Sequence, residues 1–472
     1  MRWPGFCGPA NRTLSPVANA ERTVNLYQER NESEAAPFNP NLYPTPGQTA
    51  WIQTSDVGGR GFVEAGGRGF GVIGGGFWEV KADGTKTRLQ DVAQDEYPAT
   101  FAYNAVMGQL LVGSGGNAYL FTLATNAWAT VLTGEAHQVG FLNGRFLAFN
   151  RTNQHVRMSE LNDGATWDPL LWFGRTQASD PWVSMLVRAP EIWLIGTETG
   201  EVWYDSGAYP QPFAPINGAF FPSGTCAAFS AAVAGDQVTW VQKTKDGAGS
   251  IVAARGYAPQ EISNYAVQTS LAPFDAAELA DAEVMVYAER GHLFAVWTFQ
   301  RAGQTWCFDF KEGAWHERCS WDAIRGQEIA WKARQHGYLF GRHVVGARDT
   351  GLISILDPTA GDEHGDVIRR VRVPPPIYAK AGQPLSVDRL EVYLEPGLGT
   401  ASGQGVDPTL MLRTSKDGKT WGSERTASAG QLGEYGKKVV FTRCGATDKL
   451  FVCEVSWTDP VPLRLLGAEV NR

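Results

Sequence analysis

The sequence is poor in the features that mark secreted, membrane and metal-binding proteins. Its six cysteines are scattered over 472 residues and no two are spaced Cys-x-x-Cys, so neither a zinc ribbon nor a redox motif is present. They are predicted to be reduced, partly buried thiols. No apolar run approaches the ~18–20 residues that a membrane span requires, and residues 1–10 lack the apolar core of a signal peptide. We therefore expect an unsecreted chain, made in a reducing cytoplasm, with no membrane insertion.

Clustered positive charge is also lacking. The formal net charge is −8, and it is distributed unevenly. Residues 1–376 carry 29 basic and 38 acidic side chains, whereas residues 377–472 carry 12 basic and 11 acidic ones. Because phosphate binding needs clustered lysine and arginine, this balance argues against a protein that grips nucleic acid.

Catalytic and cofactor motifs are missing too. There is no phosphate-binding Gly-x-x-x-x-Gly-Lys-Ser/Thr and no Gly-x-Ser-x-Gly, and the glycines of residues 66–76 lack the βαβ context of a dinucleotide site. None of the seven histidines approaches metal-ligand spacing; they are His137, His155, His292, His316, His336, His343 and His364. We therefore assign no catalytic, cofactor-binding or metal-binding residue, and we expect no cofactor and no enzymatic activity.

Aromatic residues and turn formers, in contrast, are abundant. The chain has 17 Trp, 14 Tyr and 23 Phe, with 54 Gly and 26 Pro dispersed among them, which predicts many short strands joined by tight turns. Paired apolar runs recur 36 to 55 residues apart, beginning at Phe70, Leu110, Phe146, Ile192, Val238, Leu293 and Leu339. Propeller blades recur at roughly 40–50 residues. We predict an all-β fold with a β-propeller over residues 51–373, of six blades or, as the second possibility, seven. Residues 275–282 predict a short connecting helix of about two turns.

The two ends of the chain differ from this repeat. Residues 1–50 are predicted to form an extended N-terminal arm, because four prolines within residues 37–47 force extended or turn conformations. A proline-rich linker at residues 373–377 precedes an additional antiparallel β module, residues 377–472. The proline-rich stretch 37–47 and the glycine-rich loop 396–405 are candidates for contacts between subunits. A role within one chain is equally open for both.

Two turns resemble a motif of sialidases. Residues 162–167 (Asn-Asp-Gly-Ala-Thr-Trp) and 415–421 (Ser-Lys-Asp-Gly-Lys-Thr-Trp) match the Asp-box, Ser-x-Asp-x-Gly-x-Thr-Trp, except that one residue is missing between Asp and Gly. In that family the box is a structural hairpin turn away from the active site. Its Asp accepts hydrogen bonds from turn amides, its Gly takes a positive φ and its Trp packs on the sheet. Both stretches therefore predict turns without chemistry.

The most specific pattern lies at the C-terminus. Its pieces follow in the order Leu412-Arg-Thr-Ser-Lys-Asp-Gly-Lys-Thr-Trp-Gly422, Gly430-Gln-Leu-Gly-Glu-Tyr435, Arg443-Cys-Gly, Phe451-Val-Cys-Glu-Val455, Ser456-Trp-Thr-Asp-Pro-Val-Pro462 and Leu466-Gly-Ala468. Further pieces upstream are Glu21-Arg-Thr-Val-Asn-Leu-Tyr27, Leu42-Tyr-Pro-Thr-Pro-Gly47, Glu201-Val-Trp-Tyr-Asp-Ser-Gly207, Gly291-His-Leu-Phe-Ala-Val-Trp-Thr-Phe299 and Gly313-Ala-Trp-His-Glu-Arg318. Together they resemble the packaged-DNA stabilisation proteins of podophages, which are tail hub or nozzle subunits. The resemblance covers most of the chain and is weakest over residues 60–170.

This resemblance implies a β-propeller carrying a platform-like module, assembled as a hexameric ring in the virion tail. The ring would sit below the portal and its adaptor, retain the packaged genome and pass it at ejection. Implied partners are further copies of the chain and the portal-adaptor or head-to-tail connector proteins, with tail fibre, tailspike or needle proteins as additional candidates. Double-stranded DNA would pass through without sequence-specific binding. The resemblance carries no catalytic residue, and synthesis and assembly would take place in the host cytoplasm.

Two other functions remain open. A propeller glycosidase or depolymerase acting on host surface glycans predicts convergent arginine, tyrosine and carboxylate side chains at one mouth of the propeller. A receptor-binding propeller predicts exposed aromatic shelves repeated from blade to blade. Trp193, Trp203, Trp240 and Trp297 lie in apolar strand positions that suit core packing better.

Overall fold

The computed structural model describes residues 1–33, 36–243, 249–380 and 383–471. Short strands account for most of its regular structure. Four of them precede the first blade: β1 (Arg22–Val24), β2 (Leu26–Glu29), β3 (Asn41–Pro44) and β4 (Gly47–Gln53).

Seven antiparallel four-stranded units follow one another along the chain. Blade 1 comprises β5 (Gly59–Ala65), β6 (Arg68–Ile73), β7 (Gly76–Val80) and β8 (Lys86–Asp91). Blade 2 comprises β9 (Thr100–Asn104), β10 (Gln109–Ser114), β11 (Asn117–Thr122) and β12 (Ala127–Leu132). Blade 3 comprises β13 (Gln138–Leu142), β14 (Arg145–Asn150), β15 (His155–Met158) and β16 (Trp172–Gly174). Blade 4 comprises β17 (Trp182–Arg188), β18 (Glu191–Gly196), β19 (Gly200–Asp205) and β20 (Phe213–Phe221).

The remaining blades contain two short helices and one extra hairpin between them. Blade 5 comprises β21 (Ala232–Ala234), β22 (Gln237–Lys243), β23 (Gly249–Arg255) and β24 (Ala258–Glu261). Helices α1 (Tyr265–Leu271) and α2 (Ala276–Ala280) then lead into blade 6, which comprises β25 (Glu283–Glu289), β26 (His292–Phe299), β27 (Gln304–Asp309) and β28 (Ala314–Glu317). After the hairpin β29 (Cys319–Asp322) and β30 (Gln327–Ala330), blade 7 comprises β31 (Ala333–Leu339), β32 (Arg342–Ala347), β33 (Leu352–Asp357) and the N-terminal β4.

The blades form a closed ring. The first strand of each blade contacts the first strand of the next, and β31 of blade 7 contacts β5 of blade 1. Blade 7 is completed from the other end of the chain, because β4 pairs antiparallel with β33, with Ile52 opposite Ile353. Ile52 also belongs to the apolar cluster that contains Phe62 and Trp78 of blade 1. The N-terminal strand therefore fastens the ring where its first and last blades meet.

Local sequence explains the hairpins within each blade. In blade 3, Asn143 and Gly144 both have positive φ, the geometry of the two-residue turn that suits the twist of paired strands. The second strands of the blades are almost wholly apolar and buried, as in β14 and β18. Apolar side chains from adjacent blades meet in separate clusters around the ring. The propeller core is thus a series of contacts between neighbours.

A β-sandwich is built from both ends of the chain. Its C-terminal strands are β34 (Arg370–Val373), β35 (Ile377–Tyr378), β36 (Leu385–Leu394), β37 (Thr409–Ser415), β38 (Arg425–Ser428), β39 (Val439–Thr447), β40 (Leu450–Trp457) and β41 (Leu465–Asn471). One sheet has the order β2-β3-β41-β36-β39 and the other β1-β34-β40-β37-β38. A single apolar cluster of 26 buried residues, from Trp3 to Val470, lies between them.

The sandwich is joined to the sixth blade. Strand β1 pairs in parallel with β28, with Val24 opposite Glu317, so the second sheet continues from blade 6. Arg22 lies 2.6 Å from Glu317 and 2.9 Å from Glu328 of the hairpin. Glu328 also pairs with Arg369 at 3.0 Å, which reaches Glu454 of β40 at 2.7 Å. This chain of ion pairs connects the two parts.

The predicted all-β fold, a propeller with an added C-terminal β module, is confirmed. The propeller has seven blades, the higher of the two predicted numbers and not the preferred six. Six of the seven predicted repeat starts fall in the second strand of a blade, while Leu339 ends the first strand of blade 7. The predicted connecting helix is present as α2, capped by Asp275, whose carboxylate accepts from the amides of Ala277 and Glu278. Helix α1 was not predicted.

The stretch that the sequence sets apart as an arm, residues 1–50, is divided between the two parts of the molecule. Strands β1 to β3 belong to the sandwich sheets, and β4 belongs to blade 7. Phe38, from the proline-rich stretch, packs on Tyr393 and over Gly467 of the same chain. In the glycine-rich loop 396–405, Gly397 accepts a hydrogen bond from the amide of Gly433. Both stretches thus have contacts within one chain. In the described ranges, no helix is long and apolar enough to cross a membrane.

Candidate functional site at the mouth of the propeller channel

Polar side chains gather at one end of the central channel, where the first strands of the blades begin. We call this end the mouth. Arg60, Gln138, Ser184, Glu283 and Arg334 each lie within the first three residues of such a strand, and all are buried. Because buried charges are costly unless they are paired, the partners of these groups decide what the mouth can do.

Glu283 holds two arginines. Its carboxylate accepts hydrogen bonds from Arg334 Nε and Nη2 at 2.9 and 2.6 Å, and Arg348 Nη2 lies 3.2 Å away. Burial alone would raise the pKa of Glu283, but the guanidinium groups of Arg348 and Arg334 outweigh it and hold the pKa below its ordinary value. The carboxylate joins two blades, since β25 and β31 are the first strands of blades 6 and 7.

The guanidinium group of Arg60 also forms several hydrogen bonds to neighbouring protein groups. It donates to the carbonyls of Gly74 at 3.1 Å and Tyr97 at 2.8 Å, to Ser114 Oγ at 2.8 Å, and to the carboxylate of Asp95. Only 2% of its side chain is exposed. Its guanidinium therefore ties the first strand of blade 1 to the segment that leads into blade 2.

Connecting segments meet at the mouth. Tyr97 stacks on Phe229 with ring centroids 5.5 Å apart, although the two belong to segments that enter blades 2 and 5. Gln138 of blade 3 donates from Nε2 to the carbonyl of Ala228 at 2.9 Å and accepts from the amide of Met185 of blade 4 at 2.7 Å. The Tyr97–Phe229 and Gln138–Ala228 contacts therefore join segments of blades that are not neighbours in the ring.

Below the mouth lies a cavity of about 540 Å³ in the centre of the propeller. Its lining includes the apolar side chains of Phe101, Phe141, Met185, Leu186 and Val187. The major groove of B-DNA alone is about 12 Å wide, so a cavity of this size cannot admit a duplex. The channel of a single propeller is therefore too small to be a passage for DNA.

Arginines, a tyrosine and carboxylates do converge at the mouth, as the glycosidase alternative requires. Their hydrogen-bonding capacity, however, is used internally. Arg60 and Arg334 are almost fully buried and bound to protein oxygens, and Arg334 donates from both Nε and Nη2 to Glu283. Among the described residues at the mouth, these two guanidinium groups are not free to receive a substrate. The arrangement is a structural ion cluster.

Four of the seven histidines lie around Tyr287 and Phe294 in blades 6 and 7. His292 Nδ1 is 2.6 Å from the Asp309 carboxylate, and His336 Nε2 is 3.0 Å from His343 Nδ1. Burial alone would lower the pKa of His292, but Asp309 outweighs it and raises that pKa. Burial, with His343 nearby, lowers the pKa of His336 to about 4. Within the described ranges no three His, Cys, Asp or Glu side chains are grouped so that they could hold a metal ion.

The two Asp-box-like stretches form turns, as predicted. Asp163 accepts from the amide of Ala165 at 2.9 Å, and Asp417 accepts from the amide of Lys419 at 2.8 Å. Gly418 has the expected positive φ of 69°. Gly164 does not have a positive φ. A glycine is needed at this position because a Cβ would lie 2.7 Å from the Leu120 side chain and 2.8 Å from that of Phe146. The glycine requirement of this turn is therefore one of packing.

Comparison with protein families settles where the chain belongs. Residues 21–361 match the model described as bacteriophage P22 Gp10, beta-propeller, and residues 373–472 match bacteriophage P22 Gp10, beta-sandwich. The chain belongs to the bacteriophage P22 Gp10 family. It is thus a member of a family of phage structural proteins, which places it among virion components. A search of curated proteins finds no match.

Several solved structures match the chain at low identity and low TM-score. The N-terminal domain of Nup159 is 10% identical, with a TM-score of 0.39, over 71% of this chain and 98% of that one. Hydrazine synthase of Kuenenia stuttgartiensis is 8% identical, with a TM-score of 0.43, over 65% and 97%. PorZ of Porphyromonas gingivalis is 11% identical, with a TM-score of 0.39, over 80% and 46%. None of these similarities supports an inference about function.

The four tryptophans assigned to the core of this Gp10-family chain are buried there. Trp240 and Trp297 have no exposed surface, and Trp193 and Trp203 are 1% and 3% exposed. The shelves of a receptor-binding propeller are therefore not made by these residues. The ion cluster at the mouth was missed from the sequence. Its signal is a charged residue at the start of an otherwise apolar first strand, as in Gly59-Arg60-Gly61-Phe62 and Ala282-Glu283-Val284.

Proposed function

We propose that the chain is a non-enzymatic subunit of a six-membered ring in the tail of a short-tailed phage. The ring lies below the portal and its adaptor, retains the packaged genome and forms the conduit through which DNA leaves. Membership of the P22 Gp10 family over residues 21–361 and 373–472 is the observation that carries this proposal. The partners are further copies of the chain and the head-to-tail connector, with a fibre, spike or needle protein as an additional candidate.

The narrow interior of the propeller supports a conduit between subunits. Because a cavity of about 540 Å³ is far too small for a duplex, DNA would have to pass along an axis around which several copies are arranged. The mouth contacts then act as struts that keep each propeller rigid under the pressure of packaged DNA. They also support a role without catalysis, since Glu283 already neutralises Arg334 and Arg348.

The charge distribution supports a conduit whose surface does not bind DNA. Residues 1–376 carry nine more acidic than basic side chains. Carboxylates that face the conduit would repel phosphates and let the genome slide. Replacing the aspartates and glutamates that face the conduit by asparagine and glutamine is expected to slow ejection. The fluorescence of DNA released from single virions measures the rate. Unchanged ejection kinetics would contradict this part of the proposal.

Electron microscopy of the purified protein and of tails that contain it tests the ring directly. The expected images show a six-fold ring with a central channel, on the tail axis next to the connector. A folded monomer that never joins tails would contradict the proposal. Release of reducing sugar from host surface glycans by the purified protein would instead favour the glycosidase.

A further inference from the structure

Two exposed surfaces combine apolar side chains with opposite charge. The first, the turn face, lies at the end of the propeller opposite the mouth, where turns close blades 2 to 4. It comprises residues 105–108, 143–145, 159–171, 188–191 and 205–212. Its apolar side chains are unusually open to solvent: Val106 is 82% exposed, Leu170 83% and Tyr209 96%. Exposed apolar groups gathered in this way mark interaction sites.

The turns of the turn face are linked into one surface. Asn104 of blade 2 donates to Asn162 of blade 3 at 3.4 Å, and the amide of Asn162 donates to the carbonyl of Gly144 at 2.7 Å. Asn143 of blade 3 donates to the carboxylate of Asp205 of blade 4 at 3.0 Å. Because these bonds hold the turns in place, little conformational freedom would be lost when a partner binds.

The turn face is acidic. It contains five acidic side chains and two basic ones. The two arginines are occupied locally, since Arg145 lies 3.8 Å from Glu160 and Arg188 lies 3.0 Å from Glu191. The other three carboxylates have no ion-pair partner in the described part of the chain: Asp163, Asp168 and Asp205.

The second surface, the basic patch, lies where the N-terminal segment crosses one end of the sandwich. It comprises residues 12–18, 378–380, 416–419 and 448–449. The Tyr378 hydroxyl donates to the carbonyl of Ala18 at 2.7 Å, and the amide of Ala379 donates to the carbonyl of Lys449 at 2.8 Å. Gly418 lies so close to Pro16 that a Cβ would be 2.5 Å from its carbonyl oxygen. These contacts bring the four segments together.

The basic patch has the opposite charge to the turn face. It carries five basic side chains, Arg12, Lys380, Lys416, Lys419 and Lys449, and two acidic ones, Asp417 and Asp448. None of the five forms an ion pair with the described residues. Leu14 is 82% exposed within it, and Val17 and Tyr378 are exposed as well. Both surfaces therefore combine exposed apolar side chains with an unpaired net charge of about the same size and of opposite sign.

We propose that the turn face of one copy of the chain binds the basic patch of the next copy in the ring. A closed ring needs two different surfaces on each subunit, and these two complement each other in charge and in apolar character. The inference rests on the proposed ring and adds which surfaces form it. Binding of DNA to the basic patch is the alternative. It would not account for the exposed side chains of Leu14, Val17 and Tyr378, nor for the turn face.

Two interface variants of the full chain test the pairing. The first disables the turn face with Val106→Asp and Leu170→Asp, and the second disables the basic patch with Leu14→Asp and Lys416→Glu. Each alone is expected to remain monomeric in analytical ultracentrifugation under conditions where the natural chain forms rings. Mixed in equal amounts, they are expected to form dimers and nothing larger, because each dimer joins one intact turn face to one intact basic patch. Ile324→Asp, at a position that is 99% exposed and outside both surfaces, should form rings normally.

The outcomes separate the surfaces from the ring itself. If the natural chain forms no ring alone or with its tail partners, the proposed function fails. If it forms rings and both variants do so too, the ring stands and the surface assignment is wrong. Folded monomers that give no dimer on mixing would show that the two surfaces do not bind each other. Rings that persist while the basic-patch variant loses affinity for duplex DNA would assign that patch to DNA. Circular dichroism verifies that each variant is folded.

Salt offers an independent measurement. The distance over which exposed charges interact falls from about 8 Å at physiological ionic strength to about 3 Å at 1 M. Dimers of the two mixed variants are therefore expected to dissociate as salt rises. Dimers of unchanged affinity across this range would contradict the part of the inference that depends on charge.

Discussion

The apolar core of the propeller is divided among separate clusters between neighbouring blades, whereas the sandwich has one cluster of 26 buried residues. Within each blade, the paired strands are successive segments of the chain, except that β4 completes blade 7. The sandwich cluster instead joins Trp3, Leu26 and Leu42 to residues from Ile377 onward. One chain therefore combines a repetitive body built from successive segments with a module that forms only when both ends meet.

Histidine content separates the two parts as well. All seven histidines of the sequence precede residue 373. Buried charge does not separate them, because the propeller mouth buries Glu283 and Arg334 while the sandwich sheets bury Arg372 and Glu454. Histidine titration should therefore act on the propeller, and changes in core volume should act on whichever part contains the residue.

The largest effect is expected from Trp457→Ala. Trp457 has no exposed surface and lies on β40 in the centre of the sandwich cluster. Deleting such a side chain costs about 3–5 kcal/mol of unfolding free energy, because a cavity remains. Hydrogen exchange should rise in β36 to β41 and remain unchanged in blades 1 to 4. Trp297→Ala, equally buried in blade 6, is the matched control. With this change, hydrogen exchange should rise in the propeller and remain unchanged in β36 to β41. Equal exchange in both parts would mean that they unfold as one unit.

Glu283→Ala should come next and should act on the propeller only. It leaves the guanidinium groups of Arg334 and Arg348 buried without their carboxylate, a loss of about 3–5 kcal/mol. Urea denaturation followed by tryptophan fluorescence measures it. Glu198→Ala, at an exposed position, should change the unfolding free energy by no more than about 0.5 kcal/mol. A Glu283 variant as stable as the natural chain would show that the mouth cluster is not structural.

Ile52→Ala tests whether the N-terminal strand fastens the ring. Ile52 is 3% exposed, and its loss should cost about 2–5 kcal/mol. Because β4 is the outer strand of blade 7, faster hydrogen exchange is expected in β4 and β33 before the other blades. Gln53→Ala, on the exposed side of the same strand, is the control. Uniform exchange across all seven blades would contradict a fastening role.

The smallest effect is a dependence on pH. The pKa of His336 is lowered from 6.5 to about 4, so the unfolded chain binds a proton more readily than the folded one in this range. Its contribution to stability is complete above pH 6.5 and is lost as the pH falls toward 4, by at most about 1.4 kcal/mol per pH unit. His336→Gln should flatten the pH dependence of urea unfolding for the propeller. His292 acts in the opposite direction, since its raised pKa makes its contribution decline above pH 6.5.

The repeat and the connecting helix show what could be predicted. Apolar runs at Phe70, Leu110 and Ile192 lie in second strands because burial on both faces of a blade requires continuous apolar sequence. Asp275 indicates α2 through local capping. Helix α1 was missed because its sequence, Tyr-Ala-Val-Gln-Thr-Ser-Leu, has no acidic first turn or basic last turn, and only the Asn264 cap marks it. The ion cluster at the mouth was missed because its partners are far apart in sequence: Glu283 is 51 residues from Arg334 and 65 from Arg348.

By itself, the sequence determined the all-β class, the period of the blades, the turns at Asp163 and Asp417, and the resemblance to phage tail proteins. These are encoded within stretches of a few tens of residues, where strand periodicity and turn chemistry act. The tertiary structure alone decided that there are seven blades, that β4 completes the last one, and that Trp3 and strands β1 to β3 contribute to the sandwich. It also decided that Glu283 pairs with Arg334 and Arg348 at the mouth. The physical reason is that ring closure and ion pairing depend on positions in space, which join segments that no local pattern connects.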